Sequence, residues 1–466
     1  MEVITETLVI GGCLVFGGVV IKRLLHRKPS WETLPDDIMG MIVSHLSVRD
    51  RIRLSIVCKP WSSVSTRPYI PSAPQLPWLL LPQSSPNHLS YFELSEGKID
   101  RLELPEPVQG GWFHGSSKGW MIMIMEKDLD STMFLVNPIS GVQHQLPPLS
   151  TTPSFHSFVE TNTWKRYGAS AFCYSVVLST SDITSDQFMV AAAFGDTGRL
   201  CLYKPGDRKW TILEVLDANE WITDLLFSSG KLYASVISHN KNGVTSGPRN
   251  LKFGDHAVEL NLVYDEVPTN DDSFEEYDDY LVHLKGTVNS HLVESTTNDE
   301  ILLVHQVQDK FAKWYDNNHE DDNHEGANEE DNMEGNQDGG EEVNDFGSKI
   351  DTVVEDDRDR FYLRTSDFNV YKLHPKKNKI ADAKGLGDQL LFLSTAGALS
   401  LPATDINNLK GNCIYFATNN TLRLHPRTFT SREIGVFSFD GRKIKRSFPS
   451  VHVSVRSRLS WFTPNL

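Results

Sequence analysis

Four short runs of strand character follow one another within Ala171–Leu216: Ala171–Ser179, Gln187–Phe194, Arg199–Lys204 and Lys209–Val215. Turn-forming residues at Asp182–Ser185, Gly195–Gly198 and Pro205–Arg208 separate them. No other feature restricts the fold as much. Four strands in about 45 residues is the size of one β-propeller blade. A lone sheet of this kind leaves two apolar faces and two edges uncovered, and a closed ring of such sheets covers them. Fragments of the same type recur at Thr132–Leu149, Trp221–Val236, Arg360–Leu373, Gln389–Ser400, Cys413–Ala417 and Ile434–Phe439. About 350 residues divided among blades of this kind predict six to eight of them. The repeats are degenerate, with neither a WD signature nor a recurring kelch-type double glycine, and a pair of β-sandwiches is the competing architecture.

Ahead of this region, Trp31–Ser65 has a helical pattern. Leu34–Pro35 opens a helix, because proline suits the first helical position, where its missing N–H has no partner anyway. Asp36 and Asp37 follow in the first turn, where the helix dipole favours anions. Ile38, Met41, Ile42 and Leu46 then share one apolar stripe. Ser47 and Asp50 have capping-box spacing and start a second helix carrying Ile52, Leu54, Ile56 and Val57. Pro60 ends that helix near Cys58–Lys59 and begins a third, with Trp61. About 35 residues fall below the size of a self-sufficient core, so an apolar face of this segment is expected to dock on something else.

The matched positions Leu34, Pro35, Asp37, Ile38, Ile42, Leu46, Asp50, Arg53, Val57, Cys58, Lys59 and Trp61 give LPxDIxxxIxxxLxxxDxxRxxxVCKxW, which resembles an F-box. The resemblance implies docking on a Skp1-type adaptor and, through it, on a cullin–RING ubiquitin ligase. It places Leu34, Pro35, Ile38, Ile42 and Leu46 against the adaptor. Val57, Cys58 and Trp61 are divided between adaptor contact and the segment's own packing. A helical hairpin that packs on the rest of the chain is the competing reading. Farther on, GSSKGW (Gly115–Trp120), LVNPISGVQHQLPPL, DLLFSSGKLYA, and GDQLLFLS before NCIYFATNN resemble the plant F-box proteins with a KIB-type β-propeller. That resemblance covers most of Leu79–Phe439.

The expected organisation is an apolar leader with a basic flank (1–29), an F-box (30–67), a linker (68–86) with six prolines, and a propeller-like domain (87–460) with an acidic insertion at 316–357. The fold class is therefore mixed, a small all-α module followed by a large all-β domain. The chain's net charge is −16, but Asp316–Asp345 alone holds 13 acidic residues and no Lys or Arg, which leaves −3 elsewhere. Neither part has the basic stripe of a nucleic-acid binder. The acidic run is too polar to bury itself; it reads as a solvated excursion, or as an attractor for a basic partner. Five widely spaced cysteines without a CxxC pair point to a reducing compartment. Leu8–Ile21 is an uninterrupted apolar run of 14, short of the about 20 residues of a spanning helix. If it inserts, Lys22 and everything after it face the cytosol. The expected location is the cytoplasm or nucleus, with membrane association through residues 8–21 as the alternative.

Several motifs suggest chemistry that their context denies. Gly115–Gly119 fits G-x-S-x-G, but a strand-like WMIMIM run follows where a nucleophile elbow needs a helix, so Ser117 reads as part of a turn between strands. Asp321, Asn323 and Glu325 imitate a calcium loop, but Asn332 stands where a bidentate glutamate belongs. Trp112, Trp120, Trp164, Trp210, Trp221 and Trp314 read as blade-packing core. No catalytic set, cofactor site or metal site is expected. The functional expectation is a non-catalytic substrate-recognition subunit of an SCF-type ligase, whose helical module docks on the adaptor while the propeller holds an unidentified protein target. A non-degradative protein-binding or kinase-inhibiting scaffold is the alternative.

Overall fold

The computed structural model describes residues 34–464, apart from 66, 68–75, 84, 128–129, 162–163, 166–167, 196–198, 218–219, 239–243, 246–248, 254–255, 266–284, 297–299, 313–360, 375–378, 404–408, 425–426 and 447–457. The apolar run 8–21, the acidic run, the calcium-like loop and Trp314 lie outside the described residues. Among the described residues no helix is long and apolar enough to cross a membrane. The chain divides into two compact units at Gln75/Leu76.

Among its described residues the first unit has three short helices, α1 (Asp36–Ser44), α2 (Val48–Ser55) and α3 (Lys59–Ser65). The second is built of six antiparallel or mixed sheets. Blade 1 contains β1 (Trp78–Leu80), β2 (His88–Glu93) and β3 (Lys98–Glu103). Blade 2 is β4 (Trp112–Ser117), β5 (Trp120–Lys127), β6 (Asp130–Val136) and β7 (Gln143–Gln145). Blade 3 is β8 (Cys173–Leu178), β9 (Val190–Phe194), β10 (Arg199–Tyr203) and β11 (Thr211–Leu213), the four runs expected from the sequence. Blade 4 is β12 (Glu220–Ser228), β13 (Lys231–Ser238), β14 (Val244–Thr245), β15 (Arg249–Phe253) and β16 (His256–Asp265). Blade 5 is β17 (Lys285–Glu294), β18 (Ile301–Ala312), β19 (Phe361–His374) and β20 (Lys379–Asp382). Blade 6 is β21 (Gln389–Ser394), β22 (Gly397–Pro402), β23 (Cys413–Leu424), β24 (Arg427–Ser438) and β25 (Lys443–Lys445).

The last strand, β26 (Ser460–Phe462), returns to blade 1 and pairs antiparallel with β1, Trp78 opposite Phe462 and Leu80 opposite Ser460. One end strand of each sheet (β26, β4, β8, β12, β17 and β22) touches its counterparts in the two neighbouring sheets, so the ring closes with these strands innermost. The unit is a six-bladed β-propeller, within the expected six to eight, and its ends are joined by a sheet made from both ends of the unit. The ring reaches into the proline-rich stretch 68–86, because Trp78–Leu81 is buried throughout and Pro77 and Pro82 merely punctuate its ends. Blades 4 and 6 also depart from simple up-and-down order. β13 pairs parallel with β16, and β21 pairs parallel with β23.

Burial on both faces explains why the strands read as continuous apolar runs. Along β5, Trp120, Ile122 and Ile124 enter the core shared with blade 3, while Met121 and Met123 enter the core shared with blade 1. Along β21, Leu390 and Phe392 face blade 1, and Leu391 and Leu393 face blade 5. The strand's period of two thus feeds two inter-blade cores at once. Indole N–H groups tie the same boundaries. Trp120 donates to the Ser181 carbonyl at 2.7 Å, Trp210 to that of Pro147 at 2.9 Å, and Trp461 to that of Leu393 at 2.9 Å. Trp112, Trp164 and Trp221 are half-buried.

Lys118 and Gly119, both with positive φ, form the two-residue loop between β4 and β5. Such loops match the right-handed twist of a hairpin. The G-x-S-x-G match is therefore a turn between strands. The Ser117 hydroxyl accepts the Leu178 N–H of blade 3 at 3.0 Å, a structural use of that oxygen.

Candidate functional site

The first unit must fold around very few side chains. Ser47 caps α2, its hydroxyl accepting the Asp50 N–H at 3.2 Å and donating to the Asp50 carboxylate at 2.9 Å. Pro35 sits at the N-cap of α1, one residue before the first helical position expected for it, with Asp36 and Asp37 in the first turn. Met39, Val43, Trp61 and Val64 form the core, flanked by Leu34, Ile42, Leu54 and Cys58. Arg51 is buried at 3% exposure and donates to the carbonyls of Ser65 (2.7 Å from Nη2) and Arg67 (3.3 Å). Burial lowers its pKa, and the carbonyls at the end of α3 are what hold the charge there. Arg67 in turn pairs with Asp36 at 2.6 Å, tying the end of the unit to its start.

What this core leaves outside is the candidate site. Ile38 (42% exposed), Met41 (63%), Ile56 (83%) and Val57 (68%) are four of the six large apolar side chains that stand exposed among the described residues. The much longer propeller supplies, among the described residues, only Ile99 and Val142. Ile38 and Met41 lie on α1 and Ile56 and Val57 in the turn after α2, and this concentration in so short a unit makes it the candidate interaction surface. Pro35 is exposed beside Ile38, and Leu34, Ile42, Leu46 and Cys58 are half-buried. Trp61 falls to the unit's own packing and Val57 to the exposed set. Met41 and Ile56 join the surface although the sequence reading did not place them in the site. Ile56 escapes because α2 ends at Ser55, so the apolar pair Ile56–Val57 lies in a turn beyond the helix face.

The propeller's inner strands carry some of its buried polar groups. β4, β8 and β12 each contain a bulge, which leaves His114, Tyr174 and Thr223 as the extra residues. Residues after two of these bulges meet across blades: Ser175 donates to Asp224 at 3.1 Å. Asp224 also accepts the N–H groups of Leu225 (2.9 Å) and of Leu292 in blade 5 (2.8 Å). One carboxylate therefore fastens three consecutive inner strands. Burial nonetheless pushes its pKa up to about 6, outweighing the three donors. With a raised folded value, its stabilising contribution is full below pH about 4 and is lost as pH rises through 6. The unfolding free energy of the wild type minus that of Asp224→Asn should fall by about 2 kcal/mol from pH 4 to pH 7, measured by urea titration. A difference that does not change with pH would show that Asp224 titrates normally. Elsewhere in the ring burial raises the Cys173 and Cys201 thiols to about 12, so neither is a nucleophile at neutral pH.

A small helical module with exposed apolar side chains, joined to a closed ring of blades, has the make-up of a protein-interaction adaptor. Residues 31–72 match the F-box domain and residues 91–438 match the KIB1-4 beta-propeller. The chain belongs to the family of F-box proteins with a KIB1-4 β-propeller. Among its relatives is the F-box protein SKIP23 of Arabidopsis thaliana, 24% identical over 442 residues, 89% of this chain and 90% of that one. The F-box/kelch-repeat protein At1g57790 of the same plant is 28% identical over 44% of this chain. The F-box/kelch-repeat protein At3g18720 is 27% identical over 48%. The chain spans only 53% and 56% of the length of these last two. F-box domains in general bind Skp1-type adaptors, and proteins of this family are in general non-catalytic.

Proposed function

We propose that this chain is the substrate-recognition subunit of an SCF-type ubiquitin ligase. The observation that carries the reading is the exposed apolar set Ile38, Met41, Ile56 and Val57 on a unit that already has its own small core. The unit docks on a Skp1-type adaptor and, through it, on a cullin. The propeller holds a protein target, and the chain itself catalyses nothing. Its contribution is proximity, which raises the effective concentration of target lysines near the charged conjugating enzyme. The chain works in the cytoplasm or nucleus, and fractionation with and without residues 1–28 tests whether the apolar run at 8–21 adds a membrane tether.

The test is affinity purification of the full chain beside a Leu34→Ala/Pro35→Ala variant. The wild type should recover a Skp1-type adaptor with cullin, and the variant should lose both while keeping propeller-bound proteins. Partners recovered without any adaptor would instead make the chain a non-degradative binding protein.

A further inference from the structure

A cleft of about 340 Å³ lies between blades 5 and 6, lined by Arg364, Thr365 and Ser366 of β19 and by Arg442, Ile444 and Arg446 at and around β25. Two of its guanidiniums are held from behind. Arg446 Nε donates to the buried Glu433 carboxylate at 2.7 Å, and its Nη2 donates to the Thr365 carbonyl. Arg442 Nη2 donates to Asp367, to the Phe368 carbonyl (3.0 Å) and to Asn369 (3.2 Å), with the guanidinium 5.6 Å from the centre of the Phe437 ring. These contacts fix both side chains yet leave Arg442 Nε and Nη1, and Arg446 Nη1, without a partner among the described residues. Arg364 is exposed and has no ion pair among the described residues.

A purely structural account covers part of this. Arg442 and Arg446 tie blade 6 to blade 5, and the exposed Lys443 and Lys445 protect an edge strand from pairing with another chain. It leaves Arg364 and the unused donors unexplained. We propose that this cleft binds a glutamate- or aspartate-rich segment of a protein target. Guanidinium groups already immobilised by Asp367 and Glu433 lose little freedom when they clamp further carboxylates, and their planar forks suit that geometry. A nucleic acid fits poorly, since the lining has no aromatic face for base stacking. The proposal rests on reading the propeller as a target receptor, but it concerns a different surface from the adaptor face.

The chain's own acidic run complicates the measurement, because the segment bearing it enters β19 at Phe361, three residues before Arg364. The experiment therefore uses two full-length backgrounds, the natural chain and one with the thirteen carboxylates between Asp316 and Asp345 changed to amides. Binding of a fluorescein-labelled glutamate dodecamer is followed by anisotropy at low salt. Saturable binding is expected in at least the amide background. Arg364→Glu should weaken it by about tenfold and the edge-strand Lys443→Glu by less than about threefold, with unchanged melting temperatures. A single-stranded RNA dodecamer should bind at least about tenfold more weakly than the peptide. Absence of peptide binding in both backgrounds, equal losses from the two charge reversals, or RNA binding as tight as the peptide would each overturn the proposal. Adaptor capture by the Arg364→Glu chain, measured in parallel, separates this failure from failure of the receptor reading.

Discussion

A chain carrying Ile38→Asp and Met41→Asp is expected to lose capture of a Skp1-type adaptor by roughly a hundredfold or more while melting at the wild-type temperature. Burying an isoleucine or methionine at an interface contributes about 1.5–3 kcal/mol each. Forcing a carboxylate into the same apolar contact adds a desolvation cost. A combined loss of about 3 kcal/mol already corresponds to roughly a hundredfold in dissociation constant. Folding should be spared because both side chains stand clear of the unit's core, at 42% and 63% exposure. The carboxylate that replaces Ile38 would also lie near the N-terminus of α1, where a negative charge interacts favourably with the helix dipole. This pair is a sharper probe than Leu34→Ala/Pro35→Ala, since Leu34 also packs on the cluster of Met39, Val43, Trp61 and Val64. Titration calorimetry with purified adaptor and a thermal melt of the free chain provide the two readings. Wild-type affinity in the double variant would put the adaptor face elsewhere.

The same helix shows where the sequence speaks and where it stops. Ile38, Met41 and Ile42 recur at helical spacing, so an apolar stripe on α1 was legible. Met39 and Val43 form a second stripe beside it, and it is this one that the three-helix unit buries. Hydropathy ranks the stripes alike; only the position of α3 decides which is covered. Arg51 was invisible for a related reason. A charged residue reads as exposed unless its partners are known, and here they are carbonyls of Ser65 and Arg67, more than a dozen residues away.

In the propeller, blade 3 was readable because Gly195, Pro205 and the Asp182–Ser185 turn separate its four strands, and the turns themselves are local chemistry. The parallel partners in blades 4 and 6 were not. Which strand takes the third place in a sheet depends on which edge is open when it arrives, and no residue within β16 or β23 records that. The closing strand was hidden twice. β1 is three residues set among prolines, β26 is three residues near the opposite end of the chain, and neither has the length to register as a periodic pattern.

That hidden strand should nevertheless dominate the stability of the ring. Trp461→Ala is expected to lower the unfolding free energy of the propeller by about 4 kcal/mol, the range for removing a buried tryptophan. Trp461 is 2% exposed, its ring lies edge-on to Phe392 at 5.2 Å, and its indole N–H donates to the Leu393 carbonyl in blade 6. Its own carbonyl accepts the Ser116 hydroxyl of blade 2 at 2.6 Å, so this one residue joins blade 1 to both neighbours. The alanine variant keeps that backbone bond and the pairing with β1, but it leaves a cavity and removes the indole donor from the Leu393 carbonyl. Removing residues 458–466 goes further and uncovers the inner edge of blade 1 together with the faces that Leu79, Leu390 and Phe392 share with Trp461. An unpaired, apolar edge of that kind invites association between chains, so the truncated protein should bind a hydrophobic dye and aggregate. Val142→Ala, at an exposed position of blade 2, serves as the control and should stay within about 0.5 kcal/mol of the wild type. Guanidinium unfolding and light scattering read both effects. A truncated chain that remains monomeric and unfolds at the wild-type midpoint would mean that the ring holds together without its closing strand, and that contacts among the other five inner strands suffice.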